Sequence, residues 1–166
     1  MTRKHLQEAW NVIQKVYNHG IENYYKDQQE EEKEKEKEKD KKSSMNGRKE
    51  IFQRQRNLVQ GYREIKEEID EIEEKKKELS QQYESFRKEI ESKYKDEKTG
   101  KIAPAVQQIV NDELSRKNQD LMNELSDFLA VDLGKFDKLK FTENEVMYAE
   151  LTGTELATID PEFIKK

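Results

Sequence analysis

The only imidazoles in the chain are His5 and His19. An imidazole acts as a general base or a metal ligand only when a carboxylate, a nucleophile or a second ligand stands within reach. On a continuous helix these two would lie about 21 Å apart. No His-x-x-x-His or Glu-x-x-His pair occurs, so the spacing of a compact metal site is missing. With no Cys, disulfides and thiolate zinc sites are excluded. The six Gly residues build no phosphate-cradling loop. Ser126-Asp127 and Ser92-Lys93 read as ordinary helix-surface neighbours. The expectation is therefore a chain that is not an enzyme, with no catalytic residues, no cofactor and no metal.

The residues that remain chemically suggestive are suited to binding. Arg48, Lys49, Arg54, Arg56, Arg63 and Lys66 form a basic stretch containing Phe52 and Tyr62 and opposed by Glu50 and Glu64. Cations with interleaved aromatics are the electrostatic footprint of a nucleic-acid contact. A solvated helix face would look the same. Ile51, Phe52, Leu58 and Val59 in the same stretch are candidates for a protein contact, if no other helix covers them. From Ala103 onward acidic residues outnumber basic ones. Carboxylates on such a segment carry the sign of phosphates and can compete for a nucleic-acid groove on a partner. The net charge of −5 implies no global attraction to nucleic acid or anionic lipid.

Composition limits what can position these groups. Of the 166 residues, 32% are hydrophobic and 42% are charged, against about 45–50% and 25% in an average globular chain. A thick core is excluded, and the few Gly and Pro argue against a turn-rich β fold. Long helices buried along one narrow stripe remain. No apolar run approaches the roughly 20 residues of a membrane span, and Met1 to Trp10 has no signal-peptide core. The expected location is cytoplasmic.

Leu6, Trp10, Ile13, Tyr17, Ile21 and Tyr24 step by threes and fours and predict a helix over roughly 3–27, widened by Val16 and Tyr25. Gly20 is its weak point or its C-cap. Trp10 and the tyrosines read as core, or alternatively as an exposed partner-binding stripe. Residues 30–42 alternate Glu and Lys without an apolar residue. They form a solvated spacer, either an extension of the first helix or disordered, followed by a loop over 43–47. Across 48–94, Ile51, Gln55, Leu58, Tyr62, Ile65, Ile69, Ile72, Lys76, Leu79, Tyr83, Phe86 and Ile90 alternate steps of four and three without a slip. This is a heptad seam on a helix about 70 Å long. A parallel homodimer would place Glu68 against Glu73, Lys75 against Ser80 and Gln82 against Arg87, none of them attractive. An antiparallel intramolecular partner fits better.

That partner follows a polar turn over 95–103. Pro104 can occupy a first helical position, and Val106, Val110, Leu114, Leu121, Leu125 and Phe128 mark a third helix ended by Gly134. A three-helix region near 4–25, 65–94 and 104–130 is expected, with a charged hairpin over roughly 28–58 projecting from it. Phe136, Leu139 and Phe141, then Val146, Tyr148 and Leu151, predict a β-hairpin turning at Thr142-Glu143-Asn144-Glu145. Thr152-Gly153-Thr154-Glu155 predicts a capped short helix, stopped by Pro161. Phe163 and Ile164 would dock the tail. The fold class is thus mainly α: an antiparallel long-helix coiled coil or three-helix bundle with a small C-terminal β-hairpin plus short helix. Its segments are an N-terminal helix (1–29), charged spacer and loop (30–47), long coiled-coil helix (48–94), turn (95–103), third helix (104–133) and mixed cap (134–166).

The stretches Arg63–Tyr94 and Phe141–Ile164, the latter through Leu151-Thr-Gly-Thr-Glu-Leu156, resemble small, charge-rich helical coiled-coil proteins of Gram-positive tailed bacteriophages. The resemblance implies an accessory viral protein serving the particle or acting on a host factor, and it carries over no catalytic residue. The leading expectation is a non-enzymatic protein-binding module that engages a host or phage protein through its helical faces. The alternatives are a scaffolding protein that self-associates during particle assembly and a nucleic-acid-binding helical protein. No membrane partner is expected.

Overall fold

The computed structural model describes residues 1–36, 41–96, 99–134, 139–159 and 163–164. The chain is mainly helical: α1 (Arg3–Lys15), a π-helical segment (Val16–Ile21), α2 (Glu22–Glu36), α3 (Lys41–Tyr94), α4 (Pro104–Leu129), α5 (Glu143–Met147) and α6 (Gly153–Thr158). It divides into two compact units, Met1–Ile69 with Leu133–Lys166, and Asp70–Asp132.

The heptad seam is realised as one unbroken helix, α3. Every one of the twelve seam positions is buried or half-buried. In the first unit, α1 runs antiparallel to α3: Arg3 Nε lies 3.1 Å from Glu68 Oε2, and Trp10 and Tyr17 stack on Tyr62 at 5.4 and 3.9 Å between ring centroids. Thr2 caps α1 by accepting from the His5 amide. Leu6, Ala9, Ile13 and Val16 line the buried face, against Leu58 and Ile65 among the buried residues of α3. Helix 1 therefore takes the stretch up to Glu68 as its partner, and not the 65–94 stretch expected for a three-helix region. Charge and ring complementarity across Arg3–Glu68 and Trp10–Tyr62 sets this register, which the apolar period leaves open.

The π segment corrects the reading of Gly20. It is neither a helix end nor a break; it is buried within the wide turn. A π turn holds one residue more than an α turn, so the apolar stripe slips by one position. Tyr25 becomes the buried tyrosine, and Tyr24 lies half-buried with its ring edge-on to Tyr25 and Tyr148. The helix then continues to Glu36, so residues 30–36 of the charged run are helical, while 37–40 lie outside the described residues. Residues 43–47, expected as a loop, belong to α3.

In the second unit α4 returns antiparallel along α3. Lys75 Nζ lies 2.6 Å from Glu124, and the Tyr94 hydroxyl donates to Glu113 at 2.8 Å. Glu124 and then Glu78 hold the Lys75 ammonium above its usual pKa. The turn closes on Asp96, whose carboxylate accepts from the Thr99 amide, with Gly100 at φ 66°. Pro104 opens α4 as expected, but the helix ends at Leu129 with Ala130 as its cap, ahead of Gly134.

The expected C-terminal β-hairpin is not formed. Among the described residues no strand is formed, and the strand-like pairings are isolated bridges such as Lys95 with Ile102 and Phe141 with Ile164. The four residues read as a hairpin turn instead start α5: Thr142 accepts from the Glu145 amide, and the Glu145 carboxylate accepts from the Thr142 amide. Thr-x-x-Glu satisfies two otherwise orphaned amides, which is why it opens a helix in preference to a turn. The same box over Thr152 and Glu155 opens α6, as expected. The Phe141 amide donates to the Phe163 carbonyl, and both residues are buried, which docks the tail. Phe136 and Pro161 lie outside the described residues.

Candidate functional site

Two arrangements in the first unit concern the residues singled out for binding, and one of them removes candidates from the surface. α5 is set against the π segment at Gly20. A Cβ on Gly20 would come within 2.2 Å of the Glu145 carbonyl oxygen and 3.1 Å of the Ala149 Cβ. Glycine is needed here for close backbone approach, not for a special φ. Gly20→Ala is expected to cost about 2–3 kcal/mol, because overpacking against a backbone atom outweighs the roughly 1 kcal/mol gain in helix propensity. Chemical denaturation checks this, and a variant as stable as the parent would contradict the contact.

This approach carries the fully buried Glu145 side chain to the centre of the unit. Its carboxylate accepts from the Tyr25 hydroxyl at 2.8 Å, from Arg54 at 2.9 and 3.3 Å, and from the Thr142 amide at 2.8 Å. Arg54 also donates to the Lys140 carbonyl. A buried carboxylate is tolerable only with such a complete set of donors. Burial first, and then the Glu145 carboxylate, push the Tyr25 phenol above its ordinary value of 10.0. The folded state keeps the phenol neutral, so the stability it lends is complete below that pH. It fades above, where the unfolded chain ionises first. Lys15 fixes the last helix by donating to the Glu155 carboxylate at 3.1 and 3.2 Å. The Thr152 amide and Lys15 hold that carboxyl below its usual range.

The second arrangement is the outer face of α3 in the same unit. The sequence candidates divide between inside and outside. Leu58 is 1% exposed and Arg54 is committed to Glu145, so both serve the interior. Ile51 is half-buried. Phe52 is 68% exposed and Val59 37%. Lys49, Arg56, Arg63 and Lys66 are exposed, and the side chain of Arg48 lies outside the described residues. The exposed set has a regular spacing. Lys49, Phe52, Arg56, Val59, Arg63 and Lys66 follow steps of three, four, three, four and three, which place them on one helix face about 25 Å long. Among the described residues none of these four cations makes an ion pair. By contrast, Lys75, Lys76, Arg87 and Lys93 farther along α3 each meet a carboxylate.

Sequence order alone does not isolate this face, because Arg54 and Leu58 of the same stretch turn inward. Glu145 was missed altogether, although its Thr142 box was visible in the sequence. Among the described residues no group of three or more His, Cys, Asp or Glu side chains is placed to hold a metal ion, and no helix is long and apolar enough to cross a membrane. No family model, curated protein or solved structure matches the chain.

Proposed function

We propose that the chain is a non-enzymatic protein-binding module whose contact surface is the Lys49–Lys66 face of α3. The observation that carries this reading is the exposure of Phe52 and Val59 in line with the exposed cations Lys49, Arg56, Arg63 and Lys66 on one face of α3. Exposed apolar residues scattered singly mean little. Two of them seven residues apart, each between basic side chains, match a helix whose apolar residues recur every two turns and are flanked by Asp or Glu. The partner is therefore a protein with an acidic amphipathic helix. The exposed apolar side chains of Phe52 and Val59 within the basic face favour an amphipathic helix over nucleic acid. Resemblance to charge-rich phage proteins supports an accessory role in which that partner is a host or viral protein.

The test compares the parent with a Phe52→Glu/Arg56→Glu/Arg63→Glu variant. All three side chains are exposed, so melting should change by no more than about 0.5 kcal/mol per site. In fluorescence anisotropy, a synthetic helix with Leu every seven residues flanked by Glu should bind the parent. It should bind the variant about 10–100-fold more weakly. A Lys-flanked control helix should bind neither. Equal affinity for the parent and the variant would reject the face. Binding of duplex DNA with a steep salt dependence would replace the protein partner with a nucleic acid.

A further inference from the structure

Within the unit Met1–Ile69 with Leu133–Lys166, the C-terminal segment 139–159 is laid on a body made of α1, the π segment, α2 and the start of α3. α5 meets the π segment and α6 meets α1. The segment buries Leu139, Phe141, Val146, Ala149 and Ile159. Apolar burial does not titrate, but two charged anchors that hold the segment down do, and they are built alike. In each, the carboxylate of a Thr-x-x-Glu box caps its own helix and also reaches a cation of the body. Glu145 accepts from the Thr142 amide at 2.8 Å and from Arg54 of α3 at 2.9 Å. Glu155 accepts from the Thr152 amide at 2.7 Å and from Lys15 of α1 at 3.1 Å.

We propose that segment 139–159 is an acid-released strap. Protonating Glu145 and Glu155 uncaps α5 and α6 and parts both anchors together, so the strap lifts while α1 stays paired with α3.

The surroundings of each carboxylate favour this outcome. Tyr25 of α2 and Arg54 of α3 are the titratable and charged groups that face Glu145, and the π segment meets this turn through Gly20. Tyr25, Arg54 and the Thr142 amide all donate to it. A protonated carboxyl brings a further hydrogen into that ring of donors and leaves a guanidinium only 25% exposed without its counter-charge. Lys15 of α1 faces Glu155. The Thr152 amide and Lys15 hold the Glu155 carboxyl below the ordinary 4.5. The stability it lends is therefore complete above that pH and is lost as the pH falls through its own, lower value.

Charge acts in the same direction. Segment 139–159 carries Glu143, Glu145, Glu150 and Glu155 against Lys140 alone. In acid its net negative charge becomes positive, and its attraction to Arg54 and Lys15 turns into repulsion. Lys15 also donates to the carbonyl of Glu150, which is held at φ 51°, a conformation uncommon for a residue with a side chain. Lifting the strap relieves that strain. The pairing of α1 with α3 has a different basis. Leu6, Ile13, Leu58 and Ile65 are buried, and Trp10 and Tyr17 stack on Tyr62, none of which responds to acid. The strap uses none of Lys49, Phe52, Arg56, Val59, Arg63 and Lys66, so it and the acidic partner can fail independently.

Hydrogen exchange of the full chain between pH 7 and about pH 3.5 tests the proposal. The amides of Phe141, Val146 and Ile159 donate to the carbonyls of Phe163, Thr142 and Glu155 and report on the strap. Their protection factors should fall by at least about 100-fold below the ordinary carboxylate range, and those of α1 by less than about 10-fold. Glu145→Gln, neutral at every pH, should release the strap by a similar factor already at pH 7. Lys15→Met should move the step upward by about 0.5 pH unit, because Glu155 loses its cation. Should circular dichroism show that Glu145→Gln has lost α1 as well, Lys15→Met decides alone. A strap still protected at the acid limit, strap and α1 opening at the same pH, parental protection in a folded Glu145→Gln, or an unmoved step in Lys15→Met would each overturn the proposal.

Discussion

Glu145→Ala should lower stability by about 3–5 kcal/mol, the cost of breaking a buried ion pair from one side. The side chain is 0% exposed, and its removal strands the Tyr25 hydroxyl and the Arg54 guanidinium, which is 25% exposed and recovers only part of its hydration. It also removes the carboxylate that caps the Thr142 amide. For a chain of this size the melting temperature should fall by roughly 10 °C. Hydrogen exchange should show the earliest loss of protection in 139–159, the segment this carboxylate holds. A double-mutant cycle with Arg54→Met separates the pair from the cap. The second substitution should cost far less in the Glu145→Ala background than alone, because the guanidinium has already lost its partner. Additive losses would mean that the two side chains do not interact.

Ile65→Asp and Leu79→Asp are expected to be at least as damaging, above about 4 kcal/mol each. Either places an unpaired carboxylate where the parent is 0% or 5% exposed. They also differ in an instructive way. Ile65 belongs to the unit Met1–Ile69 with Leu133–Lys166, and Leu79 to Asp70–Asp132. Under mild denaturant, amide protection in α1 and α2 should collapse first in Ile65→Asp, and protection in α4 first in Leu79→Asp. The parent's melting behaviour in either variant would contradict the seam from which the long helix was inferred.

That seam was legible because it is periodic. Twelve positions from Ile51 to Ile90 specify a helix with one buried line whatever lies against it, and Pro104 and the Thr152–Glu155 box mark helix starts through local sterics and local hydrogen bonds. The β-hairpin was misread although the corrective signal was equally local. Thr142 and Glu145 form the same box, but the apolar residues alternating on either side of it imitate two short strands. The candidate surface was half legible. Period alone puts Leu58 in the seam, while the inward turn of Arg54 depends on a carboxylate ninety-one residues away in sequence.

By itself, then, the sequence determined that this is a helical chain with a long central helix and a thin core, since these follow from composition, period and residue type. Only the tertiary structure decided that α1 and α4 pack on successive stretches of α3, that Gly20 is the seat of α5, and that Lys49, Phe52, Arg56, Val59, Arg63 and Lys66 remain on the surface together. The reason is that a heptad stripe accepts any apolar partner, whereas a buried carboxylate accepts only the one geometry in which Tyr25, Arg54 and the Thr142 amide converge on it.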